Sequence, residues 1–276
     1  MGFGDEIMIT GYAKLLKQKY PTHQIVAGDK KRGVVSDSII FNNNPNIKRF
    51  SELKNMQTLW IDSYSGHRPY FIKETEEKYY WNLNHKVSIG EIFFSKEEEK
   101  FSSDTIVNAK NWWKEKNNNE YKKIIFVEPS RIKTTKNNAS INRDWGFNKW
   151  QSFINIHSKE YLFMQSIFRD SDILDGVYSF KSGFREACAV LNKCDYGVGG
   201  EGGFTHAAGA LNKKGLYIYG GWIDPRITGY SKHKNIYIDI EGSPCGMKIE
   251  CEHCKKCNEI MTVDMIAKNF LEMLSV

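Results

Sequence analysis

In the second half of the chain, short apolar runs alternate with stretches of helical spacing, and this limits the fold more than any other feature. Lys123-Ile124-Ile125-Phe126-Val127, Tyr161-Leu162-Phe163-Met164, Tyr196-Gly197-Val198 and Leu216-Tyr217-Ile218-Tyr219 have the length and apolar character of buried strands. Helical patterns cover 149–157, 183–192 and 205–211. Strands that alternate with helices form a parallel sheet through helical crossovers, so the class is α/β. The first third repeats the alternation in shorter form. Ile7, Ile9, Tyr12, Leu15 and Leu16 space a helix that Pro21 stops, and 24–27 and 58–61 read as buried strands. A second parallel sheet with helical crossovers is expected there. The charged stretch 97–116 predicts a helix, and Asn117-Asn118-Asn119 after it is the best linker. The division expected is a first unit at 1–117, a second at 118–262, and an amphipathic tail helix within 263–276, with apolar Val263, Ile266, Phe270 and Leu274.

The 276 residues have room for one large or two modest domains. At 41% hydrophobic and 26% charged residues the chain is too apolar for disorder. No apolar run approaches the roughly 18–20 residues of a membrane span. The start, Met1-Gly2-Phe3-Gly4-Asp5-Glu6, lacks the pattern of a secretory signal, which points to the cytoplasm. A net charge of +6 suits nucleoside diphosphates, phosphorylated glycans, acidic lipid headgroups or nucleic acid. A merely basic surface accounts for it as well, because the charge is spread along the chain. The abundance of Asn, Lys and Ile looks like genomic bias, which raises the Lys count without a functional cause.

Four groups of residues could carry chemistry. Gly2-Phe3-Gly4-Asp5-Glu6 opens a helix, where glycines allow close approach and the helix dipole favours an ionised carboxylate. Such a carboxylate could accept a proton from a hydroxyl. From spacing alone a capping role accounts for Asp5 better than a catalytic one. Ser130 and Arg131 follow a strand, with Lys133, Lys136 and Arg143 beyond, and would suit a diphosphate; a solvated basic loop accounts for them equally. Gly199-Gly200-Glu201-Gly202-Gly203-Phe204-Thr205-His206 runs from a strand into a helix and could cradle a ribose and a phosphate, although its glycine spacing is not the dinucleotide fingerprint. Taken singly, His206 could be a core histidine. Cys245, Cys251, Cys254 and Cys257 fall within thirteen positions and could build a tetrahedral zinc site; free thiols and a disulfide are the other readings. A cross-link there would be structural, pinning the loop that leads to the tail helix. Cys188 and Cys194 read as inert and buried.

Taken in order, these residues resemble glycosyltransferase family 9, the ADP-heptose lipopolysaccharide heptosyltransferases. Gly4-Asp5-Glu6 through Tyr20-Pro21 is similar to the family's Gly-Asp opening and helix. Asn44-Pro45-Asn46 is similar to its Asn-Pro segment. Arg143-Asp144-Trp145 to Lys149-Trp150 resembles a phosphate-side basic residue followed by paired tryptophans. Glu201-Gly202-Gly203-Phe204-Thr205-His206-Ala207-Ala208 resembles the Asp-Thr-Gly-Leu-Ser-His-Leu-Ala box, and Gly220–Pro225 the Gly-x-Thr-Asp-Pro loop. The cysteine-rich tail is also similar. The matches span nearly the whole chain.

The resemblance implies a GT-B fold, with two Rossmann-like domains facing a cleft and the C-terminal helix returning to the first. It implies Asp5 as the general base, with Gly4 and Thr10 on the acceptor side. Ser130, Arg131, Arg143, Glu201, Gly202, Gly203, Thr205 and His206 would hold a nucleotide-sugar donor. It further implies transfer to a glycan or glycolipid such as a lipopolysaccharide core, at the inner membrane face, with no metal in the chemistry and zinc only in a structural role. Three departures stand out. The family has a strand before its Gly-Asp motif, so an upstream start or a lost first strand is expected. Arg143 replaces the usual Lys, and Glu201 the usual Asp, which leaves the donor sugar open. The Trp- and Asn-rich first part leaves the acceptor open. The rival readings are a glycosyltransferase acting on DNA, a non-catalytic nucleotide- or glycan-binding module, and a zinc-ribbon interaction protein.

Overall fold

The computed structural model describes residues 2–64, 67–129, 138–168 and 171–275. Helix α1 (Phe3–Lys19) begins at the glycine-flanked opening, and buries Gly4, Ile7, Met8 and Gly11 among others. Pro21 follows its cap, Tyr20, and stops it. Strands β1 (Gln24–Asp29), β2 (Val34–Val35) and β3 (Thr58–Asp62) form one sheet in the order β2-β1-β3. β1 and β3 are parallel, with Gln24 opposite Thr58, and β2 is antiparallel to β1. Gly28 has φ +149°, and a side chain there would run into the carbonyl oxygen of Val34.

The helical crossover expected between these strands is not what forms. Residues 30–57 carry β2 and two short 3-10 turns, Ile39–Phe41 and Phe50–Glu52. The segment has no apolar stripe of helical period, and its polar side chains bond local backbone instead. Ser38 Oγ accepts from Ile40 N, and Asn44 Oδ1 accepts from Asn46 N. An antiparallel hairpin follows, β4 (Phe71–Glu74) and β5 (Tyr79–Trp81). Trp81 docks on Trp222, with ring centroids 4.9 Å apart, and its Nε1 donates to the Trp222 carbonyl at 3.0 Å.

The rest of the chain builds one larger sheet. In order come α2 (Lys96–Lys116), β6 (Ile124–Glu128), α3 (Phe147–His157), β7 (Leu162–Ile167), β8 (Tyr178–Lys181), α4 (Phe184–Lys193), β9 (Tyr196–Gly200), α5 (Gly203–Ala210), β10 (Lys214–Gly220), α6 (Pro225–Thr228), β11 (His233–Tyr237), α7 (Glu252–Ile260) and α8 (Val263–Leu274). The six strands are parallel throughout, in the order β11-β10-β9-β6-β7-β8. This is the doubly wound arrangement, and the direction of winding reverses between β6 and β9. Period-two alternation along the strands serves two cores. Ile124 and Phe126 join the core under α2, α4 and α5, while Ile125 and Val127 join the one under α3 and α8.

The packing of two helices bears on the division of the chain. Helix α2, placed by the linker reading in the first unit, lies on α4, β7 and β8 of the large sheet. Its buried residues Ile106, Ala109 and Trp113 share that sheet's core, so a boundary at 117 would cut through the packing. Helix α8 packs on α3 and β10 and does not return its buried face to the first sheet. Phe270 sits in an aromatic cluster with Phe153, His157, Tyr161 and Phe163. No helix of the described residues is long and apolar enough to cross a membrane.

Candidate active site

A cavity of about 490 Å³ opens where the carboxyl ends of β6, β7, β9 and β10 meet the start of α1 and the β4–β5 hairpin. Open parallel sheets leave such a crevice at the switch point, because neighbouring connections depart to opposite faces there. Glycine brings α1 close. A Cβ on Gly4 would lie 2.6 Å from His206 Cδ2 and 3.4 Å from Gly203 Cα. Phe3 stacks on Phe184 at 4.5 Å, and Phe184 continues to Phe204 at 4.8 Å. The helix starts of α1 and α5 therefore face one space.

Asp5 lines this cavity from the first turn of α1. Its Oδ2 accepts from Gly2 N at 3.1 Å, the capping contact that spacing suggested. Its Oδ1 accepts from the Tyr70 hydroxyl at 2.5 Å. Arg68 Nε lies 3.4 Å from Oδ2, and Arg68 Nη1 donates to the Tyr70 hydroxyl at 3.1 Å. Burial, and next the Asp5 charge, push the Tyr70 phenol well above its ordinary value, so it remains a donor. Arg68 and Tyr70 were not found from the sequence. They lie in a polar loop without periodicity, and only the fold brings them to Asp5.

Across the cavity, Glu201 follows β9 and its side chain is only 6% exposed. Arg143 Nη1 donates to Glu201 Oε2, and His206 Nε2 lies 3.7 Å from Oε1. Burial alone would raise the carboxyl; the Arg143 charge and then His206 outweigh it and hold Glu201 at about 2. The guanidinium lies 4.7 Å over the Trp222 ring, and His206 Nδ1 pairs with the Tyr230 hydroxyl at 3.0 Å. Gly202 and Gly203 line the cavity at the start of α5, whose first turn presents the positive end of a helix dipole. A carboxylate base on one wall, with a cation and a helix start on the other, suits transfer of a group from an anionic leaving group to a hydroxyl.

The remaining sequence-derived residues fall into two groups. Ser130 and Arg131 lie outside the described residues. Thr10 and Thr205 are fully buried and do not line the cavity. Thr10 accepts from Glu91 N at 2.7 Å and donates to Ile7 O at 2.6 Å, tying α1 to the segment that precedes α2. Thr205 Oγ1 donates to Gly200 O and accepts from Gly202 N, closing the glycine loop. Both hydroxyls face backbone because their helix positions point inward. Glu128, Ser166 and Ser182, at or just beyond strand ends, line the cavity and were not singled out from the sequence.

Three of the four clustered cysteines group with a histidine. The donor atoms of Cys245, Cys251, His253 and Cys254 all lie within 4.8 Å of one another, and this set suits a metal ion. Cys257 is not part of that set, although its Sγ lies 3.8 Å from His253 Nε2 and 4.0 Å from Nδ1. It is buried in the core beneath the large sheet, and a Cβ on Gly221 would lie 2.4 Å from its Sγ. A hydrogen bond from Cys254 pushes the Cys245 thiol down, and the same contact pushes Cys254 up. Cys188 and Cys194 are fully buried, and burial raises both thiols, as expected for inert cysteines.

No family model matches the sequence, and no curated protein matches it either. Solved structures do match. A glycosyltransferase of family 9 from Veillonella parvula is similar over 99% of this chain and 95% of its own, with TM-score 0.61 and 12% identity. The iron-containing dodecameric glycosyltransferase TibC from enterotoxigenic E. coli is similar over 100% of this chain and 74% of its own, with TM-score 0.62 and 10% identity. At these identities the likeness is one of fold, and the chain has the α/β fold of these enzymes.

Proposed function

We propose that the chain is a family 9 glycosyltransferase of GT-B type, moving a sugar from a nucleoside diphosphate sugar to a hydroxyl of a glycan or glycolipid such as a lipopolysaccharide core. One observation carries the reading: Asp5 shares a single cavity with the Arg143–Glu201 pair and the start of α5 at the switch point of the large sheet. Asp5 takes the proton of the acceptor hydroxyl. The acceptor oxygen bonds to the anomeric carbon, the bond from that carbon to the diphosphate oxygen breaks, and the nucleoside diphosphate leaves with the electron pair. Arg143 and the first turn of α5 stabilise the leaving diphosphate, with Gly202 and Gly203 allowing close approach. Arg68 and Tyr70 orient the base. This assignment divides the molecule into an acceptor side, built on α1, the first sheet and the hairpin, and a donor side, built on the large sheet. It needs no metal in the cavity, and a zinc ion among the cysteines would be structural. The acceptor would be met in the cytoplasm at an anionic membrane face.

The test is a thermal-shift panel of ADP, GDP, UDP and CDP, then of the matching sugar nucleotides. A ligand of the native state at a hundred times its Kd stabilises by about 2.7 kcal/mol. Absence of a shift with every nucleotide would end the proposal.

A further inference from the structure

The backbone behind Arg143 and Trp222 is tied to the cysteine group. Asn142, next to Arg143, donates through Nδ2 to Met247 O at 2.8 Å and to Ile249 O at 2.6 Å, and its Oδ1 accepts from Cys251 N at 3.3 Å. Trp222 Nε1 donates to Met247 O at 2.7 Å. Cys245 N donates to Gly221 O at 3.0 Å, and Gly246 N to Trp222 O at 3.1 Å. The two residues that make the cation–π wall of the cavity are therefore held by backbone lying between or beside the four clustered donors.

We propose that Cys245, Cys251, His253 and Cys254 bind one zinc ion, and that this ion fixes the position of Arg143 and Trp222. Thiolates about 2.3 Å from a tetrahedral zinc lie about 3.8 Å apart. Cys245 and Cys251 Sγ are 3.8 Å apart, and Cys254 Sγ is 3.8 Å from His253 Nδ1. Cys245 and Cys254 Sγ, at 3.0 Å, would have to move apart by about 0.8 Å to take a zinc ion between them. Ser243 Oγ pairs with His253 Nε2 at 3.0 Å, which leaves Nδ1 for the metal and fixes the ring. Three thiolates and an imidazole favour zinc over hard cations. A disulfide would use two of these groups and leave the convergence of the others unexplained.

The first measurement is the metal content of the full chain, purified without chelator and then loaded with excess zinc. About one zinc per chain is expected. Iron in its place overturns the choice of metal, and no bound metal overturns the site. Cys254→Ser and His253→Ala should lose the ion, while Cys257→Ala should keep it; loss in Cys257→Ala would restore the four-cysteine set and overturn this one. Coupling is read by hydrogen exchange after zinc is stripped from the wild-type protein, which needs no variant to fold. Amides of 141–145 and 220–223 should exchange faster, and unchanged exchange there overturns the coupling even if zinc binds. The last arm rests on the function proposed above. Whichever of the four nucleoside diphosphates binds should lose about tenfold in affinity without zinc, within the usual range of coupling between two sites. If Arg143→Ala leaves nucleotide affinity unchanged, the functional reading fails while the exchange result still decides the coupling. If Arg143→Ala weakens binding and zinc removal does not, the coupling fails alone.

Discussion

Replacing Arg143 by alanine tests the electrostatics of the cavity without any substrate. Glu201 is almost completely enclosed, and its carboxyl is held at about 2 against an ordinary 4.5. At about 1.4 kcal/mol per pH unit, that interval is worth about 3 kcal/mol to the native state. The sign follows from the depressed value. The contribution is fully present above the unfolded-state value near 4.5, and is lost as pH falls through about 2. Without Arg143 the opposing influence of burial dominates, His206 is the cation left beside the carboxylate among the described residues, and an ionised Glu201 destabilises the fold. Removing one partner of a buried pair costs about 3–5 kcal/mol in general. We expect Arg143→Ala to lose about 3 kcal/mol in urea denaturation at pH 7. The loss should shrink at pH 5, where the freed carboxyl can take up a proton. Adding Glu201→Gln should recover much of it, since no buried charge is then left unpaired. A loss below about 0.5 kcal/mol at pH 7, the size typical of an exposed pair, would refute the reasoning.

Asp5→Asn should keep the melting temperature within a few degrees and lower sugar transfer by about 10²–10⁴-fold, as for loss of a general base; near-normal turnover would remove Asp5 from that role. Gly4→Ala should destabilise by about 1–3 kcal/mol, because the new methyl meets a His206 ring already held by Tyr230. A gain in stability, as helix propensity alone would give, would mean that α1 and α5 are not in close contact. Phe270→Ala should cost about 3–5 kcal/mol and expose the tail to proteolysis; a cost under about 1 kcal/mol would show that α8 is not docked on α3.

The sequence by itself determined the elements that bury a continuous apolar surface. β6, β7, β9 and β10 are legible because central parallel strands are covered on both faces. The expected α3, α4, α5 and α8 likewise agree with those found to within two residues at each end, because α3 and α8 each carry an apolar stripe and α4 and α5 are runs of mostly apolar residues that follow a glycine. β8 and β11 were missed: they are edge strands, and polar or charged residues interrupt their apolar pattern. The glycine-rich run after β9 and the acidic start of α1 were visible as separate signals. Their meeting was not, because strand order, which puts β9 beside β6 and so opens the crevice, depends on contacts between residues far apart in sequence. The same holds for Arg68 and Tyr70 beside Asp5, from a loop that spacing does not mark. It holds for Asn142 and Trp222, which tie the cavity wall to the cysteines. His253 and Cys257 show the limit at its smallest scale. Both lie on α7 and both carry metal-ligand chemistry, but direction is decided by what packs on the helix. Cys257 is fully buried in the core beneath the large sheet, 3.8 Å from His253 Nε2, and His253 is held by Ser243 beside the other three donors.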